Sequence, residues 1–258
     1  MTATALDPLA LFRLDGRVAL VTGASSGLGE RFARVLHSVG ATVAVVARRA
    51  DRLDALVADL PGSVAVPADL ADGDERERVV GEVIERCGGL DILVNNAGLG
   101  RKMSMEDESI EWFRAAMELN VTAYWHLSKL AGAHMVPKGN GCIVNVASIL
   151  GLVGSTPIKQ AHYSASKGAV INLTREVALQ WARKGVRVNA LCPGWFQSEM
   201  TAGMESDESA QAFIKQNSPM PRMGHAHELD GALAFLCSDA SSFMTGQFLI
   251  IDGGWTAR

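Results

Sequence analysis

Tyr163 and Lys167 are the two residues whose types and spacing most directly suit proton transfer, and they stand four residues apart. In a helical stretch this spacing puts both side chains on one face, where a lysine ammonium can approach a phenol. A phenol with its ordinary pKa of roughly 10 is a poor acid or base at neutral pH, and a nearby cation favours its anion. The pair therefore predicts acid–base chemistry at Tyr163, one of 2 tyrosines in the chain. Taken alone, the spacing also suits a solvated surface pair.

A glycine-rich turn follows the first β-branched run of the chain, Val18–Thr22. Gly23, Gly27 and Gly29 follow one another at i, i+4 and i+6, just before a stretch of helical period. Such glycines let the backbone turn sharply and approach a pyrophosphate, while the helix N-terminus offers N–H donors and a positive dipole. Because the turn lies between a strand and a helix, it predicts dinucleotide binding rather than a plain connection.

The end of the second β-branched run bears on which dinucleotide binds. Enzymes that use NAD place a carboxylate there to bind the ribose hydroxyls, and its charge would repel a 2′-phosphate. This chain has Ala47 at that position, followed by Arg48 and Arg49. A guanidinium matches the charge and geometry of a phosphate, so we predict NADP(H) with Arg48 as the phosphate ligand. The alternative is that both arginines are solvated charges at the start of the next helix.

Short apolar runs alternate with helical periodicity through nearly the whole chain. The continuity of the runs is typical of strands buried on both faces of a parallel sheet. We therefore predict a three-layer, doubly wound α/β (Rossmann) fold with a seven-stranded parallel sheet, whose ligand lies beyond the carboxyl ends of the strands. The seven runs are Val18–Thr22, Thr42–Ala47, Val64–Val66, Ile92–Val94, Cys142–Val146, Val186–Leu191 and Phe248–Asp252.

We expect a single domain over residues 1–258, because no linker or repeat is visible and surface scaling allows one core of this size. The segment at about 194–224 has no strand pattern and looks like an insertion over the substrate site. Its aromatic and thioether side chains suit an adaptable apolar pocket, although they could instead pack the insertion onto the body. These side chains are Trp195, Phe196, Met200, Met204, Phe213, Met220 and Met223.

Charge and cysteine usage exclude several classes of protein. The 24 basic and 28 acidic residues give a net charge of −4, which argues against a nucleic-acid partner. The four cysteines include no Cys-x-x-Cys pair, which indicates reduced thiols and argues against a metal site. Asp7 and Pro8 interrupt the pattern of a secretory signal, and no apolar run reaches the length of a membrane span. We expect a cytoplasmic protein.

The order of motifs resembles that of the short-chain dehydrogenases/reductases, in the single-domain branch that includes 3-oxoacyl-carrier-protein reductases. The resemblance covers Leu14 to Trp255. It rests on Thr22–Gly29, Asp69-Leu70, Asn95-Asn96-Ala97-Gly98, Asn120, Ser148, Tyr163-x-x-x-Lys167, Pro193-Gly194 and Asp252-Gly253-Gly254.

This resemblance implies roles for four catalytic residues. Tyr163 would donate a proton to the carbonyl oxygen during reduction, and Ser148 would hydrogen-bond that same oxygen. Lys167 would lower the pKa of the tyrosine and hold the nicotinamide ribose, and Asn120 would position a water in a proton relay. The hydride would come from the cofactor.

The resemblance also implies which residues contact the cofactor. The pyrophosphate would lie along the glycine turn, the adenine and its ribose against the third and fourth strands, and the carboxamide against the insertion. At Ser198 the family more often has threonine. The implied set is Gly23, Ser25, Ser26, Gly27, Leu28, Gly29, Arg48, Asp69, Leu70, Asn96, Tyr163, Lys167, Phe196 and Ser198.

The sequence thus predicts an NADP(H)-dependent oxidoreductase acting on a ketone, either a 3-oxoacyl group or another apolar carbonyl, and its secondary alcohol. The alternative is an NADP(H)-binding regulatory protein without turnover. The segment 149–162 is slightly longer than in relatives and should border the substrate, whereas His162 should point about 100° away from Tyr163. The resemblance further implies a homotetramer or homodimer that pairs the helices carrying Asn120 and Lys167.

Overall fold

The computed structural model describes residues 7–155, 157–205 and 207–257 and, within these ranges, omits the side chains of Met200 and Glu205. In this part of the chain seven strands form one parallel sheet of order β3-β2-β1-β4-β5-β6-β7. The strands are β1 Val18–Thr22, β2 Thr42–Ala47, β3 Val64–Pro67, β4 Ile92–Asn95, β5 Gly141–Val146, β6 Val186–Pro193 and β7 Phe248–Ile251.

All seven predicted strands are confirmed, with differences only at their ends. Pairing with a neighbour sets these ends: Pro67 still pairs with Ala47, and Pro193 with Ile251. Asp252, in contrast, lies just outside β7, where its carboxylate accepts hydrogen bonds from the backbone of Gly254 and Thr256.

Nine α-helices flank the sheet in the described ranges. They are α1 Gly27–Ser38, α2 Ala50–Ala58, α3 Gly73–Cys87, α4 Ile110–Met117, α5 Ala123–Lys138, α6 Ala161–Trp181, α7 Ala202–Glu205, α8 Glu208–Asn217 and α9 Asp230–Cys237. Short 3₁₀ turns occupy Ala10–Phe12, Ile149–Gly151, Ala182–Lys184, Glu199–Thr201, Ala226–Leu229, Asp239–Ser241 and Trp255–Ala257, and a π-helical turn occupies Glu118–Thr122.

Alternate residues of β1 show how the sheet separates two cores. Ala19 and Val21 point into the core that α1, α2 and α9 cover. Val18 and Leu20 point into the core that α3, α5 and the end of α6 cover. Because both faces are buried, the strand carries a continuous apolar run, as the sequence indicated. The predicted three-layer arrangement is therefore confirmed.

The strand order reverses between β1 and β4, so a crevice opens beyond their carboxyl ends. The segment at about 194–224 follows β6 at this same edge. It contains α7 and α8 and returns to the sheet edge through an isolated parallel bridge between Phe196 and Gly224. Among the described helices none is long and apolar enough to cross a membrane.

Candidate active site

The turn between β1 and α1 leaves helix amides directed into the crevice. Gly23 and Gly27 have φ angles of +68° and +57°, a region that favours glycine. A Cβ on Gly29 would lie 2.2 Å from the carbonyl oxygen of Gly23, so only glycine lets the helix begin this close to the strand. Ser26 precedes α1 without capping it through its side chain. The first turn of α1 therefore keeps N–H donors for an anion.

Asn96, at the end of β4, holds this turn in place. Its Nδ2 donates to the carbonyl oxygen of Thr22 at 2.9 Å, and its backbone N–H donates to Thr22 Oγ1 at 2.9 Å. Asn96 therefore fixes the phosphate-binding turn to the neighbouring strand, in addition to lining the crevice.

A cleft of about 870 Å³ runs along the carboxyl edge of the sheet. It is open and elongated, with the glycine turn in its middle, Asp69 and Leu70 on one side, and Tyr163 and Lys167 on the other. All the residues predicted to contact the cofactor line this one cleft: Gly23, Ser25, Ser26, Gly27, Leu28, Gly29, Arg48, Asp69, Leu70, Asn96, Tyr163, Lys167, Phe196 and Ser198. The structure thus brings together residues from most of the chain length.

The residues of the cleft fit a nicotinamide dinucleotide. Gly23, Gly27 and Gly29 line the cleft at the end of β1, where the absence of a Cβ lets the turn pack closely, and the first turn of α1 begins there. Both arginines at the end of β2 line the same cleft and suit a 2′-phosphate. Phe196 is buried and also lines the cleft.

Arg48 and Arg49 differ in their contacts. Arg48 is exposed at the cleft wall and makes no hydrogen bond or ion pair with the residues that the structure describes. Arg49 is half-buried and donates from Nε to Ser25 Oγ at 3.1 Å and from Nη2 to Ser26 Oγ at 2.7 Å. It also pairs with Glu199 at 2.9 Å. The prediction singled out Arg48 and missed these contacts of Arg49, because two adjacent arginines look alike in sequence.

Tyr163 and Ser148 face a second cavity of about 400 Å³ that joins the cleft. Ser148 follows β5, and its Oγ accepts a hydrogen bond from the backbone N–H of Leu150 at 3.1 Å. The hydroxyl proton of Ser148 therefore remains available for another acceptor. Tyr163, in the first turn of α6, lines both the cleft and the cavity.

Lys167 lies one turn further along α6 and is buried. Its Nζ donates to the carbonyl oxygen of Val146 at 2.7 Å and lies 3.4 Å from Tyr124 Oη. The same ammonium lies 5.5 Å from the ring centre of Tyr163. The sequence analysis did not single out Tyr124, so its contact with Lys167 was missed.

The role of Lys167 in lowering the pKa of Tyr163 stays a prediction, because burial is the largest influence on the pKa of this phenol. Burial raises the pKa of Tyr163 to about 12, and a hydrogen bond with Ser148 opposes part of that rise. Burial also lowers the pKa of Lys167 to about 8, so the amine loses its charge before the phenol ionises. The buried site therefore holds Tyr163 as a proton donor.

Asn120 lies behind the site, in the π-helical turn between α4 and α5. Its Nδ2 donates to the carbonyl oxygen of Leu99 and to Ser166 Oγ, both at 2.9 Å, and its Oδ1 accepts from the Leu99 N–H at 2.8 Å. The side chain thus fixes the loop after β4 to α6. Asn120 is fully buried, and its predicted role in a water relay stays a prediction.

The loop after β4 forms one wall of the cavity through Gly100, Arg101 and Lys102. A Cβ on Gly100 would lie 2.8 Å from Cδ2 of Tyr163, so the loop rests directly on the tyrosine ring. His162 is buried, pairs with Glu108 through Nδ1, and accepts the backbone N–H of Arg101 at Nε2 over 3.2 Å. As predicted, His162 points away from the cavity.

The apolar side chains of the segment at about 194–224 play both of the roles considered for them. Trp195, Met204 and Phe213 line the cavity, and the same three side chains pack against the cluster that includes Leu150 and Trp255. Pro157, Ile158 and Gln160 border the cavity, as expected for the longer segment 149–162. The predicted pocket residue Met200 has a side chain outside those that the structure describes.

Fold and cleft together define a dinucleotide-binding oxidoreductase of the doubly wound class. Comparison with known proteins supports this: a family model described as "Enoyl-(Acyl carrier protein) reductase" matches residues 23–256. The chain belongs to the short-chain dehydrogenase/reductase family, as its motifs indicated.

Named relatives match over nearly the full chain. Gluconate 5-dehydrogenase of Gluconobacter oxydans is 40% identical over 251 residues, covering 95% of this chain and 97% of that protein. A 3-oxoacyl-(acyl-carrier-protein) reductase of Thermotoga maritima is 35% identical, covering 94% and 98%. The crystal structure of a gluconate 5-dehydrogenase from Burkholderia cenocepacia with NADP and tartrate has a TM-score of 0.92 and 32% identity, covering 98% and 100%. The chain is similar to enzymes named for different substrates.

Proposed function

We propose that the protein is an NADP(H)-dependent oxidoreductase that interconverts a ketone and a secondary alcohol, with Tyr163 as the general acid and base. The observation that carries this proposal is the position of Tyr163, which lines both the cofactor-sized cleft and the adjoining cavity. A substrate carbonyl in the cavity would therefore lie within reach of the phenol and beside the cleft.

When bound, the dihydronicotinamide supplies a hydride to the carbonyl carbon. Ser148 and Tyr163 donate hydrogen bonds to the carbonyl oxygen, on which negative charge develops as the C–H bond forms. Tyr163 then gives its proton to that oxygen, and in the reverse direction it takes the proton back. The carbonyl oxygen of Val146 holds the Nζ of Lys167, which lies 5.5 Å from the centre of the Tyr163 ring and is a proton source close to that residue.

NADP(H) is the proposed cofactor because the end of β2 carries Arg48 and Arg49 where a carboxylate would select NAD(H). Arg48 lines the cleft with no competing partner in the described ranges, which supports it as a phosphate ligand. The gluconate 5-dehydrogenase structure from Burkholderia cenocepacia is named as a complex with NADP, which agrees with this preference.

The two walls of the cavity bear on the substrate class. Trp195, Met204 and Phe213 form an apolar wall, which favours a 3-oxoacyl group or another carbonyl on an apolar chain. Arg101 and Lys102 also line the cavity, which makes a sugar acid the competing class, since a relative is named for gluconate. The cavity volume of about 400 Å³ suits small and medium-sized molecules of either class.

The test is a panel of 3-oxoacyl thioesters, apolar ketones and keto-sugar acids, followed through NADPH absorbance. We expect turnover with at least one class, and a loss of at least about 100-fold in kcat for Tyr163→Phe. Because the substitution removes only a hydroxyl, the Kd for NADPH should stay within about twofold of wild type. Turnover that survives in Tyr163→Phe would overturn the mechanism. Tight NADPH binding without turnover on any substrate would instead favour the regulatory alternative.

We further propose that the chain acts as one domain, with the segment at about 194–224 as its substrate loop, and that it works in the cytoplasm as a homotetramer or homodimer. Trp125 of α5 and Leu179 of α6 support self-association, because 48% and 79% of these apolar residues is exposed.

A further inference from the structure

Ser25, Ser26 and Arg49 form an anion site at the edge of the cleft, here called the serine–arginine site. The guanidinium of Arg49 donates to both serine hydroxyls, at the junction of the phosphate-binding turn and the end of β2. Every nitrogen of Arg49 has a partner, because Nη1 and Nη2 also bond the two carboxylate oxygens of Glu199, each at 2.9 Å. A bidentate pair of this kind is geometrically specific for a planar or tetrahedral oxyanion.

Glu199 contacts this site although it lies 150 residues after Arg49 in the sequence. It follows Ser198 and begins the 3₁₀ turn after β6, where the segment at about 194–224 lies close to Gly27, the first residue of α1. The carboxylate also accepts a hydrogen bond from the hydroxyl of Ser26. Although 59% of its side chain is exposed, its hydrogen bonds with Arg49 and Ser26 hold the pKa of Glu199 at about 2. The carboxylate is therefore charged throughout the neutral range.

We propose that Glu199 is a cofactor-specificity residue that occupies the serine–arginine site, so that a 2′-phosphate gains Arg49 only by displacing the carboxylate. This inference rests on the proposed binding of a nicotinamide dinucleotide in the cleft. Arg48 is free to meet the phosphate first, whereas Arg49 becomes a second ligand once Glu199 leaves.

The two cofactors differ in what this displacement requires. NADP(H) brings a phosphate whose charge competes with the carboxylate for the same guanidinium and repels it at short range. NAD(H) carries an uncharged hydroxyl at that position and does not need Arg49. Glu199 therefore weakens the binding of NADP(H) relative to NAD(H), and it does so through charge rather than through shape.

The experiment measures the Kd of NADPH and of NADH by calorimetry for the wild type and for Glu199→Gln. Glutamine keeps the length of the side chain but removes the charge. We expect Glu199→Gln to bind NADPH about fivefold more tightly, the scale of one partly exposed ion pair, with the Kd of NADH within about twofold. Glu208→Gln is the matched control, because Glu208 is an exposed carboxylate at the start of α8 in the same segment. This control should leave both Kd values unchanged.

A second pair of variants tests the route through Arg49. In an Arg49→Met background the gain from Glu199→Gln should vanish, because the contested ligand is gone. Unchanged or weaker NADPH binding in Glu199→Gln would overturn the proposal, as would an equal gain for NADH or for Glu208→Gln. If the wild type bound neither cofactor, the proposed function itself would fail. If the wild type binds the cofactor and Glu199→Gln has the same ratio of NADPH Kd to NADH Kd as the wild type, only the proposed role of Glu199 is wrong.

Discussion

Lys167 is a lysine that is almost completely shielded from solvent, since only 3% of the residue is exposed. Its ammonium is held by one carbonyl oxygen and one phenol, and the rings of Tyr124 and Tyr163 lie 5.1 and 5.5 Å from it. No carboxylate among the described residues forms an ion pair with it. Dipoles and ring faces replace only part of the lost hydration, so the pKa of Lys167 falls below its ordinary value, to about 8.

The lowered pKa of Lys167 predicts how stability depends on pH. The group titrates at about 8 in the folded protein and at 10.5 in its ordinary environment, so between these values the unfolded chain binds more protons. The free energy of unfolding should therefore rise with pH across this window, by roughly 2 kcal/mol between pH 7 and pH 9.5. Urea unfolding of the wild type and of Lys167→Met, which lacks the titrating group, isolates this change.

The exposed Lys184 provides the control for that comparison. Lys184→Met should show a pH-independent difference from the wild type, because the lysine lies at the surface after α6. If the difference between the wild type and Lys167→Met also stayed constant from pH 7 to pH 9.5, the burial argument for the lysine would be wrong.

For individual residues, the sequence predicted which side chains belong to the site better than it predicted the contacts that they make. Tyr163, Ser148 and Lys167 meet at one edge of the sheet as predicted, because each follows a recognisable strand or helix start. Tyr124 and Glu199 were missed, since their contacts with Lys167 and Arg49 cross 43 and 150 positions in the chain. Periodicity reports which face a side chain occupies, and it carries no information about such distant partners.

The loop after β4 is the element that closes the cavity over Tyr163, and a buried pair holds it to α6. The side chains of His162 and Glu108 are 0% and 5% exposed. The backbone N–H of Arg101 donates a hydrogen bond to Nε2 of His162. Trp112 of α4 packs against the His162 ring at 6.0 Å. The loop backbone is thus tied at Leu99 by Asn120 and at Arg101 by His162.

Removing Glu108 should therefore destabilise the protein and loosen this wall. Glu108→Ala leaves the Nδ1 of His162 buried without its partner, at a cost of roughly 2–4 kcal/mol in the free energy of unfolding. The KM for substrate should rise more than kcat falls, because the wall carries Arg101 and Lys102 but none of the reacting groups. Urea unfolding and steady-state kinetics measure the two effects.

Glu106 supplies the comparison for that variant. It lies on the same loop, but its side chain is 77% exposed and its ion pair with Lys159 spans 4.0 Å. Glu106→Ala should change stability and KM far less. Equal losses in the two variants would show that the loop responds to any lost carboxylate and would contradict a special role for the buried pair.

Among the helices and strands, sequence patterns were sufficient to predict the strands but not every helix. Both faces of the strands are buried, so their apolar runs predicted all seven in order. The segment at about 194–224 contains α7 and α8, which the sequence left unassigned. These helices are short and pack one side on the cavity, so they lack a long repeat of apolar positions. The π-helical turn at Asn120 also has no sequence signal, because it inserts one residue into an otherwise helical stretch.

In the whole molecule, the candidate binding and catalytic residues lie along one edge of the sheet, and the outer helical faces are separate from them. The cleft, the cavity and the serine–arginine site all lie beyond the carboxyl ends of the strands. Trp125 of α5 and Leu179 of α6 instead expose apolar surface on the helical layer. Leu127 and Met135 of α5 are instead buried in the core of this same chain, so only part of the apolar surface of α5 is available for association.

Trp125 and Leu179 lead to a prediction about the assembly. If α5 and α6 pair with their counterparts in a second copy, light scattering should give a mass of two or four times the 27.4 kDa of one chain. Trp125→Glu combined with Leu179→Glu places a charge on each helix, and burying it against an apolar partner is costly, so the assembly should shift to a smaller species. Because both residues already face water in the single chain, circular dichroism should show an unchanged fold. Phe243→Glu is the control, since Phe243 is a fully exposed aromatic residue outside these two helices. Dissociation by Phe243→Glu alone, or an unaltered mass in the double variant, would place the interface on another face.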